Sequence, residues 1–426
     1  MDLNVYALLT PLLLLLIAIE MLYCLWRRPE YYNFQDSMAN LATAIGNQVV
    51  SVGVGFFVFK GYGWLQRHAA PWTIPTTLAS SAFLFLAVDF LFYWFHRAGH
   101  TINLLWAAHS PHHSSEELNY TVAARASVTQ RLASFAFYAP LALLGYKPEV
   151  LIPTILVHHV LQFWPHTRAI ERLPAWFERW FNAPTHHRVH HGANDRYLDK
   201  NYGGVLIVWD KLFGTFEPET EPVIYGVRPP LGTWEVVEAN FYYYAHLWRQ
   251  AKAAPYAWDK VKLWFMPLGW EPRGLPYQPH GYDPKKQVKY QTRVADGVKL
   301  YLLSQFAPAL GLMMLMSHDD SPLSFGEKLA VGGLVWASVV SWGGFLENAA
   351  WAPRLEAVRL LLLPFMLAPI FARLMPGALT VPAVYAGVAL SGALLWACLR
   401  PQAAATRRAG LRATPMRAME PALKSR

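Results

Sequence analysis

The sequence predicts an all-α integral membrane protein, a multi-span helical bundle with a histidine-rich di-metal cap on its cytoplasmic side. Three observations predict it. Apolar runs of about 20 residues, enough to cross a bilayer as a helix, recur along the 426-residue chain. Charged residues make up 15% and hydrophobic ones 54% of it, against roughly 25% charged in a soluble protein. Half of the 16 histidines fall in three tight blocks, His96-x3-His100, His109-x2-His112-His113 and His187-x2-His190-His191. These imidazoles exceed the roughly four to six ligands that one metal takes, so the blocks imply two ions.

Nine candidate spans follow from the apolar runs: 5–26, 41–59, 75–95, 128–144, 150–164, 300–316, 329–345, 358–371 and 379–399. The fourth and fifth form a hairpin split by Gly145-Tyr146-Lys147-Pro148. Its arms are short and the second carries His158 and His159, so it reads as buried or re-entrant rather than as two full spans. The chain divides into N-terminal spans (1–74), a histidine-bearing region (75–250), a cytoplasmic connecting segment (251–298), a four-span region (299–400) and a basic tail expected to be disordered (401–426). The first span lacks a basic stretch before it and a small-residue cleavage site after it, and reads as a retained anchor.

Positive-inside counting orients these spans. Arg27-Arg28 puts the end of the first in the cytoplasm; two more spans bring His96 to that side, the hairpin returns the chain there for His187, and four more leave the basic tail there. The loop with Asp319-Asp320 falls outside. Net charge is +9. The basic residues flank apolar segments rather than clustering on a soluble domain, which excludes nucleic acid as the expected partner and suits an anionic lipid surface. Cys24 and Cys398 lie in apolar runs at opposite ends, so neither a disulfide framework nor a thiolate metal site is expected.

Residues at i, i+3 and i+4 share one face of a helix. If the blocks are helical, each turns two or three imidazoles the same way, and three helices meeting would build an all-nitrogen cage. Imidazole suits Fe, Zn, Cu and Ni. A lone histidine is ordinarily a satisfied core or surface residue, and His68, His246, His280 and His318 read that way. Asp89, inside the third span, costs roughly 2.5–3.5 kcal/mol to insert. It lies on the helical face of His96 and is expected to accept a hydrogen bond from a ligand imidazole; a helix-packing bond is the alternative. Glu116 and Glu117 follow the second block, either to ligate or shuttle protons or to form a solvated face. Phe92, Tyr93 and Trp106 are placed to line a lipid slot or to anchor at the interface. No nucleotide fingerprint, P-loop or nucleophile elbow is present. A redox enzyme built this way needs an external reductant or an electron-transfer protein. The rival classes are a membrane metal-binding or transport protein, whose ionisable groups would sit near the midplane on broken helices, and an inert scaffold.

The motifs Trp94-Phe95-His96-Arg97 through His100, Trp106-Ala107-x-His109-x2-His112-His113-Ser114-Ser115-Glu116 with Asn119 and Arg125, Gln162-Phe163-Trp164 before His166, Thr185-His186-His187-Arg188-Val189-His190-His191-Gly192, Asp199-Lys200-Asn201-Tyr202, and Trp209-Asp210-Lys211-x-Phe213-Gly214-Thr215-Phe216 resemble the fatty acid hydroxylase/sterol desaturase superfamily of integral-membrane oxygenases. Within it they are most similar to the alkylglycerol monooxygenase branch. The resemblance covers roughly residues 5–250. It implies two Fe ions held by His96, His100, His109, His112, His113, His187, His190 and His191, with His166 as a further ligand. It implies a lipid substrate taken from the bilayer, O2, and tetrahydrobiopterin as reductant, where other branches use an electron-transfer protein. Two positions depart from the pattern. Gln162 stands where some relatives have a further histidine and is expected beside the metal rather than on it. Thr101 stands where mammalian members of the branch have a glutamate.

Overall fold

The computed structural model describes residues 5–275, 282–318 and 320–409. His280, Asp319 and residues 410–426, about which the sequence carries expectations, lie outside the described residues.

The described residues form helices α1 (Val5–Arg27), α2 (Phe34–Ala69), α3 (Leu78–Thr101), α4 (Asn103–His113), α5 (Tyr120–Ala124), α6 (Gln130–Leu143), α7 (Pro148–Leu161), α8 (Ala175–Trp180), α9 (Pro184–His190), α10 (Val208–Phe213), α11 (Val236–Ala253), α12 (Ala257–Lys262), α13 (Asp296–Ser317), α14 (Phe325–Leu346), α15 (Ala352–Leu374) and α16 (Thr380–Ala409). Pairing of extended chain is confined, among them, to isolated bridges such as Phe181 with Leu206. Among the described residues, seven helices are long and apolar enough to cross a membrane: α1, α2, α3 and α13 to α16.

The fourth and fifth expected spans are helices of 14 residues each, α6 and α7, too short to cross by length alone. Their connecting turn nevertheless reaches the far-side loop between α2 and α3: Ile74 N donates to Gly145 O (3.0 Å) and Tyr146 Oη to Ser80 O (2.8 Å). Gly145 takes φ +107° there, and a Cβ would collide with the Trp72 carbonyl. The hairpin thus lies along α2 and α3 for their depth, and both ends return to the side of the histidines.

Helix ends follow local chemistry. Asn33 accepts from Asp36 N (3.1 Å) to start α2. Reciprocal capping boxes start α3, through Thr77 and Ser80, and α14, through Ser324 and Glu327. Such caps begin α2 seven residues before the apolar run predicted at 41, because polar Gln35, Asp36 and Asn40 are helical and face protein. At the other end α16 continues to Ala409, so residues 401–409 are helical where disorder was expected.

Helix α2, 36 residues long, joins two apolar cores. Its first half, with Met38, Ala42 and Ile45, packs into the core of α13 to α16 around Val335, Val339 and Trp342. Its second half, with Tyr62, packs with Leu84 and Val88 of α3 and the hairpin residues Tyr138, Leu141 and Leu151. The histidine-bearing α4 and α9 sit at the end of α3, outside both cores.

Candidate metal centre

The three histidine blocks converge, and His166 joins them. Two groups result, each with ligand atoms within 4.8 Å of one another: His96, His100, His109, His113 and His190 in one, and His112, His166, His187 and His191 in the other. All are helical except His166, in the turn after α7, and His191, the residue that caps α9. Helical phase explains the partition. In α4 the i, i+4 pair His109 and His113 goes to the five-histidine group while His112 goes to the other. In α9 the order is reversed: His187 and His191 join the four-histidine group and His190 crosses over. The two motifs clasp each other, and each group takes residues from both.

The rings are set from behind. Nδ1 of His96 donates to Tyr202 O (2.8 Å), of His112 to Arg125 O (2.9 Å), of His166 to Gln162 O (2.9 Å) and of His190 to Lys200 O (3.1 Å). A carbonyl can only accept, so the proton is on Nδ1 and each Nε2 presents a lone pair inward. The Nε2 atoms of His112 and His166 are 3.1 Å apart. Two lone pairs at that range repel unless a cation lies between them. Protonation is a poor remedy, because burial pushes His112 down to about 4 and holds His109, His113, His166, His187, His190 and His191 well below the usual imidazole range. Neighbouring Nε2 atoms elsewhere in the groups are 2.8 to 3.2 Å apart. That is close to the ~3 Å edge made by two nitrogens each about 2.1 Å from one metal. Nε2 of His100 is buried with no hydrogen-bond partner. Neutral rings, opposed lone pairs and an orphaned nitrogen fit a divalent metal in each group.

The irregular segment 199–203 supplies two of those carbonyls, and its conformation is unusual. Asp199 and Asn201 have φ of 59° and 56°, in the left-handed region that Asp and Asn tolerate. Asn201 is held by its side chain, which donates to His186 O (3.1 Å) and Glu217 O (2.8 Å) and accepts from Glu217 N (2.9 Å). Asp210 secures the next residues, accepting from Tyr202 N and Gly203 N at 2.7 Å each. Asn201→Ala combines strain at positive φ with loss of those bonds. It is expected to weaken metal retention by roughly 10–100-fold, the cost of disturbing partners behind ligands. Asn201→Gly, which relieves only the strain, should recover a minor part of it in metal titrations; full recovery would show that the side-chain bonds do nothing.

Asp89 is not behind a ligand, contrary to expectation. Its carboxylate accepts from His158 Nε2 (2.7 Å), Val205 N (2.8 Å) and Trp209 Nε1 (2.8 Å), and His158 belongs to neither group. Asp89 does lie seven residues before His96 on α3, but its carboxylate is taken up by α7 and the 205–209 segment, whose approach periodicity cannot show. Gly204 permits this approach: a Cβ there would lie 2.7 Å from the His158 ring. The Gln162 side chain bonds His158 Nδ1 (2.8 Å), and its backbone carbonyl, as above, orients His166. Its amide is thus turned away from the four-histidine group, one turn from His166.

Glu116 and Glu117 also lie away from the groups, and they are buried rather than solvated. Glu116 accepts from Tyr290 N (2.6 Å), and Glu117 pairs with Arg168 and Lys289 at 2.5 Å each. Burial raises both carboxyls above their usual range, and Arg168 and Lys289 oppose the rise at Glu117. Of the three expected aromatics, Phe92 lies 5.0 Å from the His96 ring and Trp106 5.1 Å from His100. Tyr93 instead stacks on Phe213 and bonds Thr215 (3.0 Å).

Two buried groups escaped the sequence reading. Arg125, quoted only as part of a motif, donates to Pro111 O (2.7 Å), Asn40 Oδ1 (2.9 Å) and Ser114 Oγ (2.8 Å) and offers its own carbonyl to His112. Glu20 of α1 bonds Thr167, Tyr32 (2.6 Å) and Tyr120 N (2.7 Å), tying the His166 turn to the first helix. An acid inside an apolar span was the available signal.

Residues 81–215 match the family model described as fatty acid hydroxylase. The chain is 38% identical to alkylglycerol monooxygenase of Homo sapiens over 296 residues, 68% of this chain and 65% of the relative. It is 31% identical to alkylglycerol monooxygenase of Xenopus tropicalis over 363 residues, 83% of this chain and 79% of that one. Lathosterol oxidase of Rattus norvegicus is 28% identical over 214 residues, 46% of this chain and 66% of the relative. The aligned region thus spans just under two thirds of the human relative's length. No solved structure matches.

Proposed function

Because the chain belongs to the alkylglycerol monooxygenase family, we propose that it is a multi-pass membrane di-iron oxygenase that hydroxylates a lipid with O2, an alkylglycerol being the favoured substrate. The observation that carries the proposal is the pair of buried imidazole groups whose lone pairs oppose each other. In this reading His96, His100, His109, His113 and His190 hold one iron and His112, His166, His187 and His191 the other. Bound iron would supply the redox chemistry of O2 activation, with two electrons from an external reductant, either tetrahydrobiopterin or an electron-transfer protein.

The chain's own residues do the rest. Four backbone carbonyls hold ligand rings in one tautomer. Phe92 and Trp106 put apolar surface against the five-histidine group, where an alkyl chain is accommodated and water is excluded. Hydroxylation of the carbon beside an ether oxygen consumes O2, two electrons and two protons and releases water. The hemiacetal so formed collapses to a fatty aldehyde and glycerol. The histidine face is assigned to the cytoplasm, supported by Arg27-Arg28 and by span parity, which the α6–α7 hairpin leaves unchanged.

Similarity to lathosterol oxidase and, at 27% identity, to an ornithine lipid hydroxylase of Rhizobium tropici favours a second reading, hydroxylation or desaturation of another lipid such as a fatty acyl chain, sterol or carotenoid. Purified full-length protein distinguishes them. Fe and Zn are counted per chain, then an alkylglycerol and a tetrahydropterin are added under O2 and fatty aldehyde is measured. Two irons with aldehyde are expected. Two irons without it would redirect the search to the other lipids and a protein donor. Absence of bound metal would overturn the oxygenase reading, and metal movement across sealed vesicles without O2 uptake would replace it with transport.

A further inference from the structure

The segment after α12 is fastened to the end of a membrane span. Asn103 N donates to Met266 O (3.1 Å), Leu268 N to Thr101 O (3.3 Å) and Asn103 Nδ2 to Leu263 O (2.9 Å). Since the candidate span α3 ends at Thr101, this segment lies at the end of that span. The surface around it is not one that water favours. Trp248 is 55% exposed, Trp258 67%, Val261 51% and Phe265 63%. Trp258, Val261 and Phe265 fall at i, i+3 and i+7, on one side of α12 and the turn that follows it. Along α11, Val237, Phe241 and Trp248 continue the exposed apolar stripe. A contiguous patch of this kind marks an interaction site.

Between α11 and α12 the patch opens into a groove of about 550 Å³ whose walls include Leu104, Trp248, Lys252, Lys260, Trp264 and Phe265. Its charge is of one sign. Lys252 lies over the Trp248 ring at 5.2 Å, and neither it nor Lys260 has a carboxylate partner among the described residues. The one acid of α12, Asp259, is committed to Arg273, accepting from its Nε (2.9 Å), an NH2 (3.1 Å) and its backbone N (3.0 Å). The result is an apolar slot edged by two free ammonium groups.

We propose that α11, α12 and the turn after them dip into the headgroup layer and bind anionic phospholipid, with an acyl chain along Leu104, Trp264 and Phe265 and the phosphate between Lys252 and Lys260. Trp at the interface and lysines stretched over apolar surface are the elements that interfacial binding uses. Leu104 belongs to α4, so the bound lipid would touch the helix that carries His109, His112 and His113. The proposal requires the chain to be a membrane protein and does not depend on the reaction proposed above.

The test places an environment-sensitive fluorophore on Phe265→Cys in the full-length chain, with Cys24 and Cys398 replaced by alanine. It is reconstituted in nanodiscs containing a minor fraction of brominated phosphatidylglycerol or of brominated phosphatidylcholine. Both lipids should quench the fluorophore, the anionic one in preference, by roughly five-fold per lysine near the surface. The preference should shrink in high salt and vanish in K252E/K260E. Should that variant fail to fold, Lys252→Gln with Lys260→Gln removes the charges and keeps most of the stems. Equal quenching by the two lipids before any substitution would overturn the phosphate site. A fluorophore that neither lipid quenches would overturn the proposal altogether and leave the basic groove to an acidic protein partner.

Discussion

His112→Ala and His190→Ala are each expected to remove metal and activity together, and to do so unequally. The residues come from different motifs and serve different groups: His112 leaves three imidazoles behind in its group, His190 leaves four. Under the two-ion reading, His112→Ala therefore empties its site more completely. Metal per chain should fall towards one in His112→Ala, while His190→Ala keeps weak occupancy of both. Turnover should fall in both by more than the roughly 10–100-fold typical of losing a partner behind a ligand, because in that reading turnover would need both groups occupied. Metal analysis beside a turnover assay checks this. Full activity in either variant would refute the site as assigned, and equal metal loss would refute the partition into five and four.

Arg359→Met should destabilise the membrane bundle by about 3–5 kcal/mol, the cost of removing one partner of a buried ion pair. Glu356 is wholly buried and Arg359 nearly so. Arg359 donates to Glu356 from Nε (2.9 Å) and an NH2 (2.5 Å), and to Gln305 (2.9 Å). Glu356 also accepts from Ser341 (2.7 Å) and from Tyr301. The network joins α13, α14 and α15 in apolar surroundings. In Arg359→Met the carboxylate keeps its burial and loses its cation. The double variant E356Q/R359M removes both charges and should regain most of the loss. Thermal unfolding of full-length protein in nanodiscs measures both. A double variant as unstable as the single one would mean that packing around Arg359, not its charge, holds the helices.

Legibility differed between neighbouring features for physical reasons. The apolar runs marked nine candidate spans, of which seven are, among the described residues, helices long and apolar enough to cross a bilayer, because a bilayer demands length and hydropathy that local sequence records. It blurred α2, whose polar first turns are covered by other helices rather than by lipid. The motif spacing predicted that His109, His112 and His113 would turn one way. It was silent on the exchange that sends His112 to one group and His190 to the other, since that depends on how α4 meets α9. Asp89 shows the same boundary. Its presence in a span marked it as special, but its partner, His158, lies 69 residues away in the chain.

By itself, then, the sequence determined that this protein is a helical membrane protein with more closely spaced imidazole than one metal needs. Composition, span length and i, i+3, i+4 spacing are properties of single segments. Only the tertiary structure decided which imidazoles fall into one group, that carbonyls of the 199–203 segment, with Asp199 and Asn201 at positive φ, set two of the rings, that Glu116 and Glu117 are buried braces, and that α11 and α12 leave an apolar, basic face exposed. Each of those depends on contacts between segments remote in sequence, where packing and the satisfaction of buried polar groups outweigh local preference.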